Sequence, residues 1–234
     1  MKLRVIVFLG ILFLVSQVNA QEKPVLKNQK EKASYSIGLN IGRNLGSDLK
    51  RQSIDIDPNI LTKGIQDALS GATPLLSNEE IQETMVAFQK EVMEKQKQRG
   101  EAFLSENKKK EGVKALPSGL QYKVIKAGTG KKPKLNDTVT VQYRGTLADG
   151  TEFDSSYRRG QPATFPVSGV IPGWTEALPL MGEGAKWQLF VPPNLAYGER
   201  GAGGLIGPNA TLIFEIELIS VQENKQEKKQ EDKK

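Results

Sequence analysis

Apolar residues in the first half of this chain recur every third or fourth position, whereas in the second half they alternate or crowd together. Between residues 30 and 49, Ile37, Ile41, Leu45 and Leu49 step by four, the spacing of one helix face. Gly38, Gly42 and Gly46 form a second stripe beside them. Each glycine costs a helix interior about 1 kcal/mol relative to alanine, so three on one face imply close approach of another helix backbone. Asp57-Pro58 predicts a second helix, with Asp as N-cap and Pro pre-set for the first turn. Leu61, Ile65 and Leu69 mark its inner side, and Gly71 stops it. Ser77-Asn78-Glu79-Glu80 is a capping box that opens a third helix. Ile81, Met85, Phe88 and Val92 continue it, and Phe103 extends the stripe toward residue 110. At 1.5 Å per residue this helix is roughly 45–50 Å long, more than two short helices can cover. Residues 30 to about 95 therefore read as a dimerisation module. The polar stretch from 95 to 114 reads as an exposed stalk that does not dock on the C-terminal half of the chain.

From Leu116 the period changes. Residues 120–125, 138–147, 186–191 and 211–221 alternate or are rich in β-branched and aromatic side chains, the signature of strands. Gly128-Thr129-Gly130 and Asp149-Gly150 are turns, and Pro172-Gly173-Trp174 opens a short helix. The fold expected is α+β: an antiparallel sheet around one short helix, preceded by an all-α module and a long connecting helix. The boundaries expected are 21–76 for the helical module, 77–112 for the connecting helix and 113–221 for the sheet domain. Residues 222–234 form a charged, low-complexity tail read as disordered.

Composition narrows the chemistry. Residues 1–20 read as a secretory signal: Lys2 and Arg4, an apolar run from Val5 to Val15, and a small-residue cleavage site at Val18-Asn19-Ala20. Export follows, most simply to a Gram-negative periplasm or to the outer membrane and cell surface. The formal charge is +6, two units of it in this leader. Most of the remaining excess lies around Lys108-Lys109-Lys110 and in the tail, alternating with Glu and Gln. No aromatics interleave there as in a base-stacking platform, so nucleic acid is not an expected partner. Histidine and cysteine are both absent. Their absence removes thiol nucleophiles, disulfides, Ser-His machinery and the usual zinc ligands, so no metal or cofactor is expected.

Three segments carry the remaining signal: Val141-Gln142-Tyr143-Arg144-Gly145 with Phe153-Asp154-Ser155-Ser156; Val170-Ile171-Pro172-Gly173-Trp174; and Leu195-Ala196-Tyr197-Gly198-Glu199-Arg200-Gly201. They supply rings, aliphatics, one carboxylate and glycine loops. They supply no nucleophile. The glycine run from 198 to 204 lacks the Gly-Lys-Ser/Thr ending and following helix of a phosphate loop. It reads as a mobile flap.

In these motifs and their order, residues 116–221 closely resemble the FKBP-type peptidyl-prolyl isomerases. The likeness extends back to about residue 30, where Ser34-Tyr35-Ser36-Ile37-Gly38 and the long third helix look like the exported bacterial subgroup named macrophage infectivity potentiator. The resemblance implies a half-barrel sheet cupping its helix, with a shallow apolar pocket between them. By motif position Tyr143, Phe153, Asp154, Tyr197 and Phe214 fall on the family's catalytic set. Arg159, Phe165, Val170, Ile171, Trp174, Leu205 and Ile206 fall on its substrate-binding set, with Trp174 as floor and Leu205-Ile206 in the flap. Ala163 stands where many relatives carry another aromatic, and Ala202 where eukaryotic members often have histidine. Trp187 is assigned to the core. The implied partners are proline-containing unfolded or partly folded polypeptides, a second copy of the chain, and macrocyclic inhibitors of the immunosuppressant type. A proline-gripping holdase with little turnover and a surface adhesin are the rival readings.

Overall fold

The computed structural model describes residues 25–52 and 54–224. The expected signal segment and most of the charged tail lie outside the described residues. The chain divides into two units, residues 1–45 and 46–234, with the boundary inside helix α1 (Gln29–Gln52). In the first unit Asn28 Oδ1 accepts the Glu31 N–H at 2.9 Å and steadies the helix start. Tyr35, Ile37, Leu39 and Ile41 are exposed. A Cβ placed at Gly38 or Gly42 would meet nothing within 4 Å.

The second unit takes in the end of α1 and continues with α2 (Pro58–Ser70) and α3 (Asn78–Asn107). Both open as their residues dictate. Asp57 accepts the N–H groups of Asn59 and Ile60, and Pro58 needs no partner in the first turn. Ser77 Oγ accepts the Glu80 N–H at 3.2 Å, while Glu80 Oε2 accepts the Ser77 N–H at 2.8 Å. At its far end α3 docks on the sheet, contrary to the stalk expected from its polar composition. Gly100 and Asn107 are buried, and Phe103 lies 6.1 Å from the Phe190 ring. Asn107 Nδ2 donates to Gln121 Oε1 at 3.0 Å, and Gln121 Nε2 to the Leu104 carbonyl at 2.8 Å. A polar face docks here because one glycine admits close approach, one ring supplies contact and paired amides satisfy each other.

The sheet is antiparallel with seven strands: β1 (Val113–Ala115), β2 (Gln121–Lys126), β3 (Thr138–Leu147), β4 (Glu152–Ser155), β5 (Ala163–Pro166), β6 (Lys186–Val191) and β7 (Leu212–Gln222). Their order is β1-β2-β6-β7-β3-β4, with β5 also pairing β3. Alternate residues of the long strands point inward, Val139, Val141 and Tyr143 on β3 and Leu212, Phe214, Ile216 and Leu218 on β7. They share one core with Trp174, Ala177 and Leu178 of the short helix α4 (Pro172–Ala177) and the turn after it. Trp187 belongs to this core and stacks on Tyr122 at 4.5 Å and 8°.

β3 changes partner along its length. It pairs β5 through Thr138–Val141 and β4 through Arg144–Thr146. At the changeover Tyr143 N–H donates to Ser156 Oγ at 2.8 Å, and Ser156 N–H donates to the Tyr143 carbonyl at 2.9 Å. Ser156 is completely buried. Residues 157–162 leave the sheet here as an exposed turn.

Candidate active site

A cavity of about 430 Å³ opens between the sheet and α4. Its lining comes from Tyr143 on β3, Asp154 on β4, Phe165 on β5, Val170 and Ile171 ahead of α4, Trp174 in its first turn, Tyr197 before the flap, and Phe214 on β7. Trp174 is the centre. Tyr143 and Phe214 each meet its ring edge-to-face at 5.2 Å, with interplanar angles of 85° and 82°. Phe165 approaches at 6.0 Å and 86°. Perpendicular rings are the favoured arrangement of aromatic quadrupoles, so the floor is held by contacts on several sides. Pro172 at the first helical position and a Thr175 Oγ1 bond to the Val167 carbonyl, 2.9 Å, fix the turn that presents this ring.

Phe153 lies behind the wall and meets Phe214 edge-to-face at 5.5 Å and 86°. Gly145 makes that pair possible: a Cβ there would stand 2.6 Å from the Phe153 ring and 2.9 Å from Phe214. Nothing in the residue pattern marks Gly145 for this role, nor does it mark Ser156 or Gly169, which lines the cavity.

The polar side of the cup is already engaged. Tyr143 Oη donates to Asp154, and Arg159 pairs with Asp154 while donating to Tyr143 Oη at 2.8 Å. The Ser155 N–H adds a bond to Asp154 Oδ1 at 2.8 Å. Partial burial pulls the Asp154 carboxyl upward, but the bonds from Tyr143 and Arg159 and the Arg159 charge outweigh it and leave the group below its ordinary value. Tyr143 is raised, first by burial and then by its carboxylate partner. An ionised Asp154 bound on these sides is a poor proton acceptor. Among the described residues no group of three or more Asp or Glu stands close enough to hold a metal ion.

The sequence profile described as "FKBP-type peptidyl-prolyl cis-trans isomerase" matches residues 129–219, and that of the "Domain amino terminal to FKBP-type peptidyl-prolyl isomerase" matches residues 30–124. The chain is 52% identical to the outer membrane protein MIP of Legionella longbeachae, over 95% of this chain and 98% of that protein. It is 44% identical to the peptidyl-prolyl cis-trans isomerase Mip of Coxiella burnetii, over 95% and 99%. The chain belongs to the FKBP-type peptidyl-prolyl cis-trans isomerase family. The fold agrees: the crystal structure of FkpA from Escherichia coli superposes with a TM-score of 0.54 at 42% identity, covering 85% of this chain and 99% of that one.

Within this FKBP-type chain the expected site residues do not all reach the cup. Tyr143, Asp154, Phe165, Val170, Ile171, Trp174, Tyr197 and Phe214 line it. Arg159 touches it through Asp154 and stands 5.3 Å from the Tyr143 ring centre. Ile206 is buried with the core, and Leu205 lines a separate cavity of about 140 Å³ against α3. The antiparallel bridge between Ala202 and Ile206 sets this division.

Proposed function

We propose that the cup is the seat of prolyl isomerisation in this enzyme and works by holding an X-Pro bond in a water-poor, pre-shaped hollow. Rotation about that bond sacrifices amide resonance against a barrier of about 18–20 kcal/mol, and no covalent bond is made or broken. The twisted amide is less charge-separated than the planar one, so exclusion of water favours it. The proline ring stacks on Trp174 between the edges of Tyr143, Phe165 and Phe214. Tyr197 Oη and the Ile171 N–H hold flanking carbonyls. Asp154 orients Tyr143 and Arg159 and takes no proton. The boxed Trp174, with the lone carboxylate beside it already committed, is the observation that carries this reading. Each tenfold of rate corresponds to about 1.4 kcal/mol of preference for the twisted state.

The substrates are proline-containing segments of unfolded or partly folded exported polypeptides, met in the periplasm or at the outer membrane. Residues 1–20 act as the export signal, residues 21–76 as a helical dimerisation region and residues 113–221 as the catalytic domain. Exposed Tyr35, Ile37 and Ile41 on α1 support pairing with a second copy. Two linked cups raise the effective concentration of one for a client held by the other. The experiment is a prolyl-tetrapeptide isomerisation assay on wild type, Asp154→Ala and Trp174→Leu. Turnover in the wild type with a loss of about tenfold or more in the variants is expected. Background rates in all three would leave a proline-gripping module without catalysis. Ile37→Glu with Ile41→Glu should convert a sedimenting dimer to monomer without loss of tetrapeptide turnover.

A further inference from the structure

We infer that Gly100 is a positioning residue for the isomerase cup, acting through the flap that follows Tyr197; the inference rests on the reading of the cup given above. The flap, residues 198–210, is tied within itself. The Asn209 N–H donates to the Gly198 carbonyl at 2.9 Å and closes its ends. Ala202 and Ile206 exchange backbone bonds of 2.8 and 3.0 Å across its middle. Asn209 holds a φ of 54°, a left-handed value that asparagine tolerates better than most residues. At Gly201, φ 63°, any Cβ would run into the Ile206 carbonyl. Those bonds make the loop one closed unit attached at its base. The outgoing side of that base, residues 209–211, runs directly into β7 and the cup wall at Phe214.

Helix α3 meets the base at Gly100. A Cβ there would lie 2.7 Å from Thr211 Oγ1 and 3.8 Å from the Asn209 carbonyl oxygen, so a bare Cα is what permits this separation. Thr211 is 4% exposed, and its hydroxyl has no hydrogen-bond partner among the described residues. The Gly100 face of α3 stands directly against this hydroxyl. Beside this contact the seam opens into the 140 Å³ cavity, lined among others by Arg99, Leu147, Leu205 and Gly207. The flap thus has space next to it and a close stop at its base. The standoff of α3 at Gly100 sets where the flap base holds Tyr197 at the rim of the cup and Phe214 in its wall.

Ordinary helix physics gives the opposite sign for Gly100→Ala, since alanine is the better helix former and should raise Tm with activity unchanged. The test uses the full-length protein, with kcat and KM measured on a prolyl tetrapeptide for wild type, Gly100→Ala, Thr211→Ala and the double variant. Gly100→Ala should raise KM about fivefold or more with kcat within about twofold, because the floor is intact and capture is impaired. Thr211→Ala alone should stay within about twofold on both constants, and the double variant should recover, since loss of Oγ1 vacates the place the new methyl needs. General destabilisation would instead lower kcat at unchanged KM by reducing the active fraction. Thr211→Ile adds bulk from the flap side without altering α3, should raise KM in the same way, and carries the test if Gly100→Ala does not fold. Unchanged KM in the bulky variants, or a double variant that does not recover, overturns the inference. Trp174→Leu runs alongside. Full activity in that variant would remove the cup reading itself, whereas its loss beside a wild-type-like Gly100→Ala removes only the role of Gly100.

Discussion

Gly145→Ala should damage both stability and catalysis, although it adds a single methyl group. Gly145 lies across from Asp154 on β4 and from Phe214 on β7. Its Cβ would fall 2.6 and 2.7 Å from two Phe153 ring carbons and 2.9 Å from a Phe214 ring carbon. Carbon atoms rest about 3.5–4.0 Å apart, so each ring must retreat by on the order of 1 Å. Overpacking of this kind costs about 1–3 kcal/mol. The Phe153–Phe214 pair also forfeits part of the about 0.5–1.5 kcal/mol that an edge-to-face contact holds. Taken together the loss is about 2–4 kcal/mol. Each kcal/mol moves Tm by about 4–8 °C in a domain near 100 residues, so the fall should be at least about 8 °C. Because Phe214 also abuts Trp174, kcat/KM should drop about tenfold or more. Thermal unfolding followed by tryptophan fluorescence and tetrapeptide isomerisation read the two effects separately. Phe153→Leu in the Gly145→Ala background should recover part of both, since the shorter side chain withdraws from the methyl. A Gly145→Ala protein that matches wild type in Tm and kcat/KM would refute the claim that this ring pair sets the cup wall.

Other expectations come from the same geometry. Asn107→Ala should cost about 1–3 kcal/mol in urea denaturation by leaving buried Gln121 Oε1 without its donor; an unchanged midpoint would mean the docked helix end contributes nothing. The depressed Asp154 carboxyl contributes stability above its unfolded value of about 4 that is lost as pH falls through the folded value. The raised Tyr143 phenol contributes below its unfolded value of about 10 and is lost as pH rises through the folded value. Between those limits isomerisation should be flat from about pH 5 to 9, and a bell-shaped profile inside that window would reveal a proton transfer that this cup does not provide. Ser77→Ala should remove about 1 kcal/mol of α3 stability by breaking the capping box, read as a lower urea midpoint.

Much of this architecture was legible in the sequence wherever the signal is local. The start of α3 is written in Ser77 and Glu80, which bond each other as their spacing demands. The long strands β3, β6 and β7 show alternation over enough residues to register. β1, β4 and β5, at three or four residues, are too short for a period to be seen, although β4 and β5 bring Asp154 and Phe165 to the cup. The docked end of α3 escaped because two amides fourteen residues apart, Asn107 and Gln121, look like solvated surface groups until the fold brings them together. Motif position named the ring set of the cup. It could not divide Leu205 from Ile206, because that depends on the flap bridge and not on either residue's character.

The handover of β3 from one neighbour to another has an evolutionary corollary. Where Ser156 substitutes for a ladder partner, residues 157–162 are exempt from sheet register, and the chain there is exposed on the surface. Extra residues inserted after Arg159, which must stay beside Asp154 and Tyr143, would disturb no rung of the sheet. Lineages could therefore lengthen or recharge this lip, and so retune which polypeptides reach the hollow, while the aromatic box beneath stays as it is.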